Sequence, residues 1–207
     1  MALGAAAAPR IHAGRLGATL AAFLLAVGVS AHALDELRGR PLRTSLSRRV
    51  LVMLAVAGLA GALGIGVAGA LVVSPWLVPL IVAGGLAVPA YNLELAGGRF
   101  HTDWMFALAW GALPAFTGYF AQTLSVRPAG LLVAAACFLV SVAQRRLSSP
   151  ARELRRRTLH VEGEQELEDG TVIRLDSAHL AGPLEGALSA LWLAFVVLAA
   201  GLVLVRL

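Results

Sequence analysis

The chain has no lysine, a single cysteine and little charge of either sign. Without lysine, every fixed cation is an arginine guanidinium, which puts the pI near 10.9. Cys137 has no second cysteine to pair with, which excludes an internal disulfide; it lies in an apolar run and reads as a small buried hydrophobe. Charged residues make up 14% of the chain, whereas soluble domains carry about 25%. That scarcity excludes a soluble enzyme. The apolar residues form long uncharged runs instead of an amphipathic stripe, the pattern of membrane spans of about 20 residues each. The arginines gather in loops between those runs, where they set topology and meet anionic lipid, so no nucleic-acid partner is expected.

Dividing the runs predicts an all-α, polytopic transmembrane bundle of about six helices, near 16–34, 50–73, 77–95, 104–122, 129–145 and 184–205. Ser74-Pro75-Trp76 splits the longest run, because proline disfavours helix in the residue before it. The expected organisation is a bundle over 1–157, an insert at 158–177 and a last span within 178–207. Arginine is dense in loops 35–49 and 145–183 and sparse near 74–76 and 123–128. The positive-inside rule therefore places loops 35–49, 94–103 and 145–183 in the cytoplasm of a plasma-membrane protein, with both termini outside. An alternative reading of the N-terminus is a signal peptide, with Arg10 and Arg15 before an apolar core and Ala31-His32-Ala33 as cleavage site. Gly58, Gly61, Ala62, Gly64, Gly66 and Gly69 mark the second helix for close backbone packing. Trp76 and Trp104 suit interfacial anchors.

The insert alternates with period two on either side of Asp169-Gly170, which predicts a cytoplasmic β-hairpin of 158–167 with 171–175. Glu162, Glu164, Glu166 and Glu168 read as its solvated face, with metal ligation the alternative.

Ionisable groups near membrane depth are functional candidates by default. One cluster ends the first helix: His32, Asp35, Glu36, Arg38 and Arg40. His32 lies three and four residues from Asp35 and Glu36 and shares a helix face with them, and an imidazole with one or two carboxylates suits a divalent cation. A second cluster is Tyr91, Asn92, Glu94, Arg99, His101 and Asp103, with Asp103 alternatively a helix cap. Gln144, Arg145 and Arg146 face the same side, as lipid-contacting charges or as a phosphate grip.

At these residues the chain resembles the UbiA-type intramembrane prenyltransferases. There a helix ends in an N-D-x-x-D-x-x-x-D motif followed by R-P-[LI]; here His32-Ala33-Leu34-Asp35 precedes Arg40-Pro41-Leu42. Tyr91, Arg99 and Gly111-Ala112-Leu113-Pro114 with Gly118 follow in the family's order, so the resemblance covers about 16–157. It implies two acidic motifs that hold a substrate diphosphate through Mg²⁺. Here only Asp35 aligns in the first motif, and Gln144, Arg145 and Arg146 stand in place of the second. The expected function is a reduced relative that binds a polyprenyl or other lipid phosphate at the cytoplasmic face, with guanidinium replacing metal. One alternative is an active transferase in which His32, Asp35, Glu36 and Asp103 are catalytic and Asp35 ligates Mg²⁺. Another is a non-catalytic membrane subunit whose hairpin docks a partner protein. The substrate-binding residues expected are Arg38, Arg40, Tyr91, Asn92, Arg99, His101, Gln144, Arg145 and Arg146.

Overall fold

The computed structural model describes residues 1–41 and 43–206; Leu42 of the Arg40-Pro41-Leu42 segment, and Leu207, lie outside the described residues. The chain is mostly helical. A short α1 (Ala2–Ala6) precedes α2 (Ala13–Gly39), α3 (Arg48–Val72) and α4 (Pro75–Asn92). Helix α5 covers residues 103–123, with a π-helical segment at Ala107–Ala112. Then follow α6 (Pro128–Arg156), the strands β1 (Gly163–Glu166) and β2 (Val172–Leu175), and α7 (Ser177–Leu204).

Among the described residues five helices, α2, α3, α4, α6 and α7, are long and apolar enough to cross a membrane. The segment near 104–122 is helical throughout but is not one of them. Its polar and small residues explain this: Trp110, Gly111, Pro114, Thr117, Gly118, Tyr119 and Gln122 dilute it. They are tolerable because α5 is shielded by neighbouring helices, with Ala107, Ala115, Tyr119, Phe120, Ala121 and Gln122 all buried. The other helices carry their large apolar residues outward: Met53, Val56, Leu71 and Val72 on α3 are exposed, as are Trp192, Leu193 and Val197 on α7. Exposed apolar surface of that extent suits lipid, not water. Trp76 and Trp104 are 73% and 72% exposed, consistent with anchors at an interface.

The described chain separates into two compact units. The first holds residues 1–141 with 199–207, and the second residues 142–198. In the first, α3 packs against α2 and α4, and α5 packs against α1 and α2. Small residues permit this. A Cβ on Gly58 would stand 2.8 Å from the Leu25 carbonyl oxygen and 3.0 Å from the Ser30 nitrogen, so α2 and α3 meet backbone to backbone. Gly66 faces Ile81 and Gly69 faces Leu77 across the α3–α4 contact, while Gly64 meets nothing. A Cβ on Gly4 would overlap the Ala115 carbonyl, and one on Gly118 the Met1 carbonyl, which seats α1 on α5. Helix α1 escaped the sequence reading because five residues are too few to show a period.

The second unit contains the hairpin. Its strands are antiparallel, with Gly163 opposite Leu175 and Glu166 opposite Val172. The turn spans Leu167 to Thr171: Gly170 N–H donates to the Leu167 carbonyl at 2.9 Å, and Gly170 sits at φ +79°. That is a three-residue loop with glycine in the left-handed position. The upstream strand begins at Gly163, not Thr158, because its partner stops at Leu175. There Asp176 turns the chain into α7, its Oδ1 accepting from His179 N–H at 2.7 Å. That bond holds the Asp176 carboxyl below the usual carboxylate range. Glu162 meets Arg174 at 3.2 Å and His160 at 3.2 Å, all strongly exposed.

Three helix ends differ from expectation. Helix α2 runs on to Gly39 and stops where Arg40 turns left-handed at φ 46°; Glu36-Leu37-Arg38 are good helix formers, and their charges sit at its polar end. Helix α6 continues to Arg156 through Pro150, which removes one hydrogen bond without ending the helix, and Arg155 and Arg156 complement the dipole of its last turn. Helix α7 starts at Ser177, not 184, behind the Asp176 cap. Much of loops 35–49 and 145–183 is therefore helix.

Candidate functional site

The polar residues at the C-terminal end of α2 meet those between α4 and α5 within the first unit. Arg38 joins them. One Nη donates to the Leu93 carbonyl at 2.6 Å and the other to Glu94 Oε2 at 2.6 Å, across 55 residues or more of sequence. Arg38 thereby satisfies a carbonyl at the end of α4, where a cation also complements the helix dipole.

Two imidazoles share this end. His32 Nδ1–H donates to the Val27 carbonyl at 2.7 Å, and His101 Nδ1–H to the Tyr91 carbonyl at 3.1 Å. Each bond fixes Nδ1 as the donor and leaves Nε2 for a ligand or a proton. Both rings lie within electrostatic range of the Asp35 carboxylate, which is half-buried. His101 also stacks on Tyr91, with ring centroids 4.5 Å apart, and Tyr91 touches Phe106 and Trp110 at 5.9 and 5.8 Å.

The other expected residues take different places. Glu36, read as catalytic, is 1% exposed, and its Oε1 accepts from Thr44 N–H at 2.6 Å and Thr44 Oγ1–H at 2.8 Å. It latches the chain leaving α2. Arg40 closes the same loop, donating to the carbonyls of Thr44 at 3.0 Å and Leu46 at 3.4 Å. Tyr91 and Asn92, expected to bind substrate, are buried, and Asn92 Nδ2–H donates to the Val88 carbonyl within its own helix. Asp103 is exposed in the first turn of α5; the cap is Thr102, whose Oγ1 accepts from Met105 N–H at 3.2 Å. Arg99 is exposed in the loop of Gly97 and Gly98, both at positive φ, and makes no hydrogen bond or ion pair with the described residues. Gln144, Arg145 and Arg146 lie on α6 in the second unit, the first two half-buried and Arg146 exposed.

No group of three or more His, Cys, Asp or Glu side chains among the described residues is placed to hold a metal ion. The Mg²⁺ implied by the resemblance would rest here on fewer side-chain ligands than two acidic motifs supply. Its expected ligand Asp35 interacts electrostatically with His32 and His101, and Glu36 Oε1 accepts from Thr44.

Beneath this polar end the first unit contains an apolar cavity of about 190 Å³. Its walls come from α2 to α5, among them Val27, Leu63, Gly66, Gly84, Val88 and Trp110. Apolar cavities of roughly 150 Å³ accept a benzene-sized molecule, so this one takes a hydrocarbon segment. Three wall residues touch the polar cluster directly. The Val27 carbonyl holds His32, the Val88 carbonyl holds Asn92, and Trp110 meets Tyr91 edge-on. Tyr91 lies between Trp110 of the wall and His101 of the polar end. Both π-helical segments, Leu24–Ala31 of α2 and Ala107–Ala112 of α5, contribute to the wall. In α5, Pro114 lacks the N–H that would bond the Trp110 carbonyl in an α-helix, which accounts for irregularity there; nothing comparable explains the segment in α2. Sequence reading missed the cavity, since no motif marks a volume lined by glycine, alanine and leucine from four helices.

No protein-family model, curated protein or solved structure matches this chain.

Proposed function

We propose that this protein is a six-span membrane protein that binds a polyprenyl or other lipid phosphate, its head at the cytoplasmic end of α2, α4 and α5 and its tail directed into the apolar cavity. The observation that carries this reading is the direct contact between cavity wall and polar cluster at Val27, Val88 and Trp110. An amphiphilic ligand needs such a junction, and a small polar substrate does not. Arg99 supplies an uncommitted guanidinium, His32 and His101 supply Nε2 groups, and Arg38 supplies a charge already oriented by Glu94. Guanidinium pairs with phosphate oxygens without a metal. This suits a divergent, non-catalytic relative of the UbiA-type enzymes; Arg145 and Arg146 remain the second source of guanidinium that the sequence offers.

The test is binding of a polyprenyl diphosphate to the purified chain, with and without chelator. Chelator should change affinity little. Arg99→Ala should weaken binding by roughly tenfold, the worth of one charge-assisted contact. Binding abolished by chelator and indifferent to every arginine change would instead favour the active transferase. Absence of binding under all conditions would favour the structural subunit that docks a partner through its hairpin.

Orientation has its own test. A cysteine placed at Ser125 in a Cys137→Ala background should react with an impermeant maleimide added to intact cells, and one at Gly170 should not. Reaction at Gly170 would invert the topology and move the polar end outside.

A further inference from the structure

The cavity has a second polar end. Arg15 lines it, close to the N-terminal end of α2. At a rise of about 1.5 Å per residue, the stretch from Arg15 to Asp35 covers roughly 30 Å, the thickness of a bilayer's hydrocarbon core. If α2 crosses the membrane, Arg15 would stand near the side opposite the site above. Its only hydrogen bonds among the described residues run from one Nη to the carbonyls of Ala121 and Gln122, at 3.3 and 3.4 Å. No carboxylate of the described residues pairs with it. A guanidinium on the wall of an apolar cavity in a membrane, held by two long bonds to neutral carbonyls, lacks a counter-ion.

A second donor lies beside it. Gln122 is 4% exposed. Its Oε1 accepts from His12 N–H at 2.7 Å, which fixes the amide orientation, and its Nε2 is buried without a partner. Buried amide donors are rarely left unmet. Arg15 lines the hydrocarbon-sized volume, and Gln122, whose backbone carbonyl Arg15 bonds, carries a second unmet donor next to that wall.

We infer that this end is a second headgroup site, which takes the anionic head, carboxylate or phosphate, of a single-chain lipid whose tail lies in the cavity. The guanidinium supplies the compensating charge and the Gln122 amide a further hydrogen bond. The proposal goes beyond the reading above and does not require the Asp35 end to bind anything.

The experiment measures thermal stabilisation of the full chain in a neutral maltoside detergent, with laurate, dodecyl phosphate and methyl laurate as probes. At least one charged probe should bind about tenfold or more tightly than methyl laurate, as expected for a charge-assisted contact in a low-dielectric site. The better of the two identifies the head. In an Arg99→Ala background, which removes the contribution of the other end, Arg15→Gln should erase the preference and Arg15→Lys should retain part of it. Gln122→Leu keeps both carbonyls that hold Arg15, so it tests the site even if Arg15→Gln does not fold; it should weaken charged-probe binding several-fold. The preference should survive Arg99→Ala, which separates failure here from failure at the other end. Charged probes that bind no better than methyl laurate would overturn the proposal. So would a preference that persists in both Arg15→Gln and Gln122→Leu when each is combined with Arg99→Ala.

Discussion

Replacing Glu36 with alanine is expected to lower the stability of the protein by about 3 kcal/mol, the combined worth of two hydrogen bonds to a carboxyl group and the cost of the donors left behind. The carboxyl is 1% exposed, and its Oε1 accepts from both the backbone N–H and the hydroxyl of Thr44. Those bonds hold the turn between α2 and α3, where Arg40 is already in the left-handed region. Glu36→Gln keeps an acceptor oxygen and should cost about 1 kcal/mol, the value of a neutral bond exchanged for a stronger one. Detergent-denaturant unfolding of the purified variants measures both. If Glu36→Ala proved as stable as the wild type, the latch would be wrong. A loss of function in that variant without loss of stability would return Glu36 to the catalytic role its position in the sequence suggests.

Tyr119→Ala should cost about 3 to 4 kcal/mol, in the lower part of the range for truncating a buried aromatic. In lipid the transfer from water contributes little, and lost packing remains. Tyr119 is 1% exposed, and its ring occupies the space a Cβ on Gly130 would need, at the start of α6. It therefore holds α5 against the first turns of α6, three residues from Gln122. Tyr119→Phe keeps the ring and should be within about 1 kcal/mol of the wild type. Gly130→Val pushes against the same ring, so combining it with Tyr119→Ala should cost less than the sum of the two, a coupling expected of residues in contact. Additive losses would mean that the two do not share this space.

The candidate site was legible in part. Charges at membrane depth marked the end of α2 and the α4–α5 connection, and the structure joins those two clusters through Arg38–Glu94 and the Arg38 bond to the Leu93 carbonyl. Residue type did not reveal which of them are committed internally. Glu36 and Arg40 look as available as Asp35 and Arg99 until Thr44 and Leu46 are seen beside them. Asp103 at the head of a helix was an equally good cap on paper, and Thr102 takes that role because its shorter side chain sits one residue earlier, in extended backbone. Arg15 reads in sequence as the charged flank of a signal peptide; only the walls around it show a cavity.

Composition alone determined that this chain belongs in a membrane. Helix-length runs of uncharged residues cannot be buried by 207 residues in water, and their register of turns and arginine loops follows from hydrogen-bond satisfaction and the cost of moving charge through lipid. The hairpin too was local, since Asp169-Gly170 and a period of two need no distant partner. Tertiary structure decided what local rules do not reach. It shielded α5, so that a helix carrying Gly111, Gly118, Tyr119 and Gln122 could sit among apolar spans. It carried α2, α6 and α7 past their apolar limits, where caps and neighbouring carbonyls outweigh hydropathy. It also left one partly open apolar volume lined from Arg15 to Val27, because side chains far apart in sequence meet only when helices pack, and the space they leave is a property of that packing.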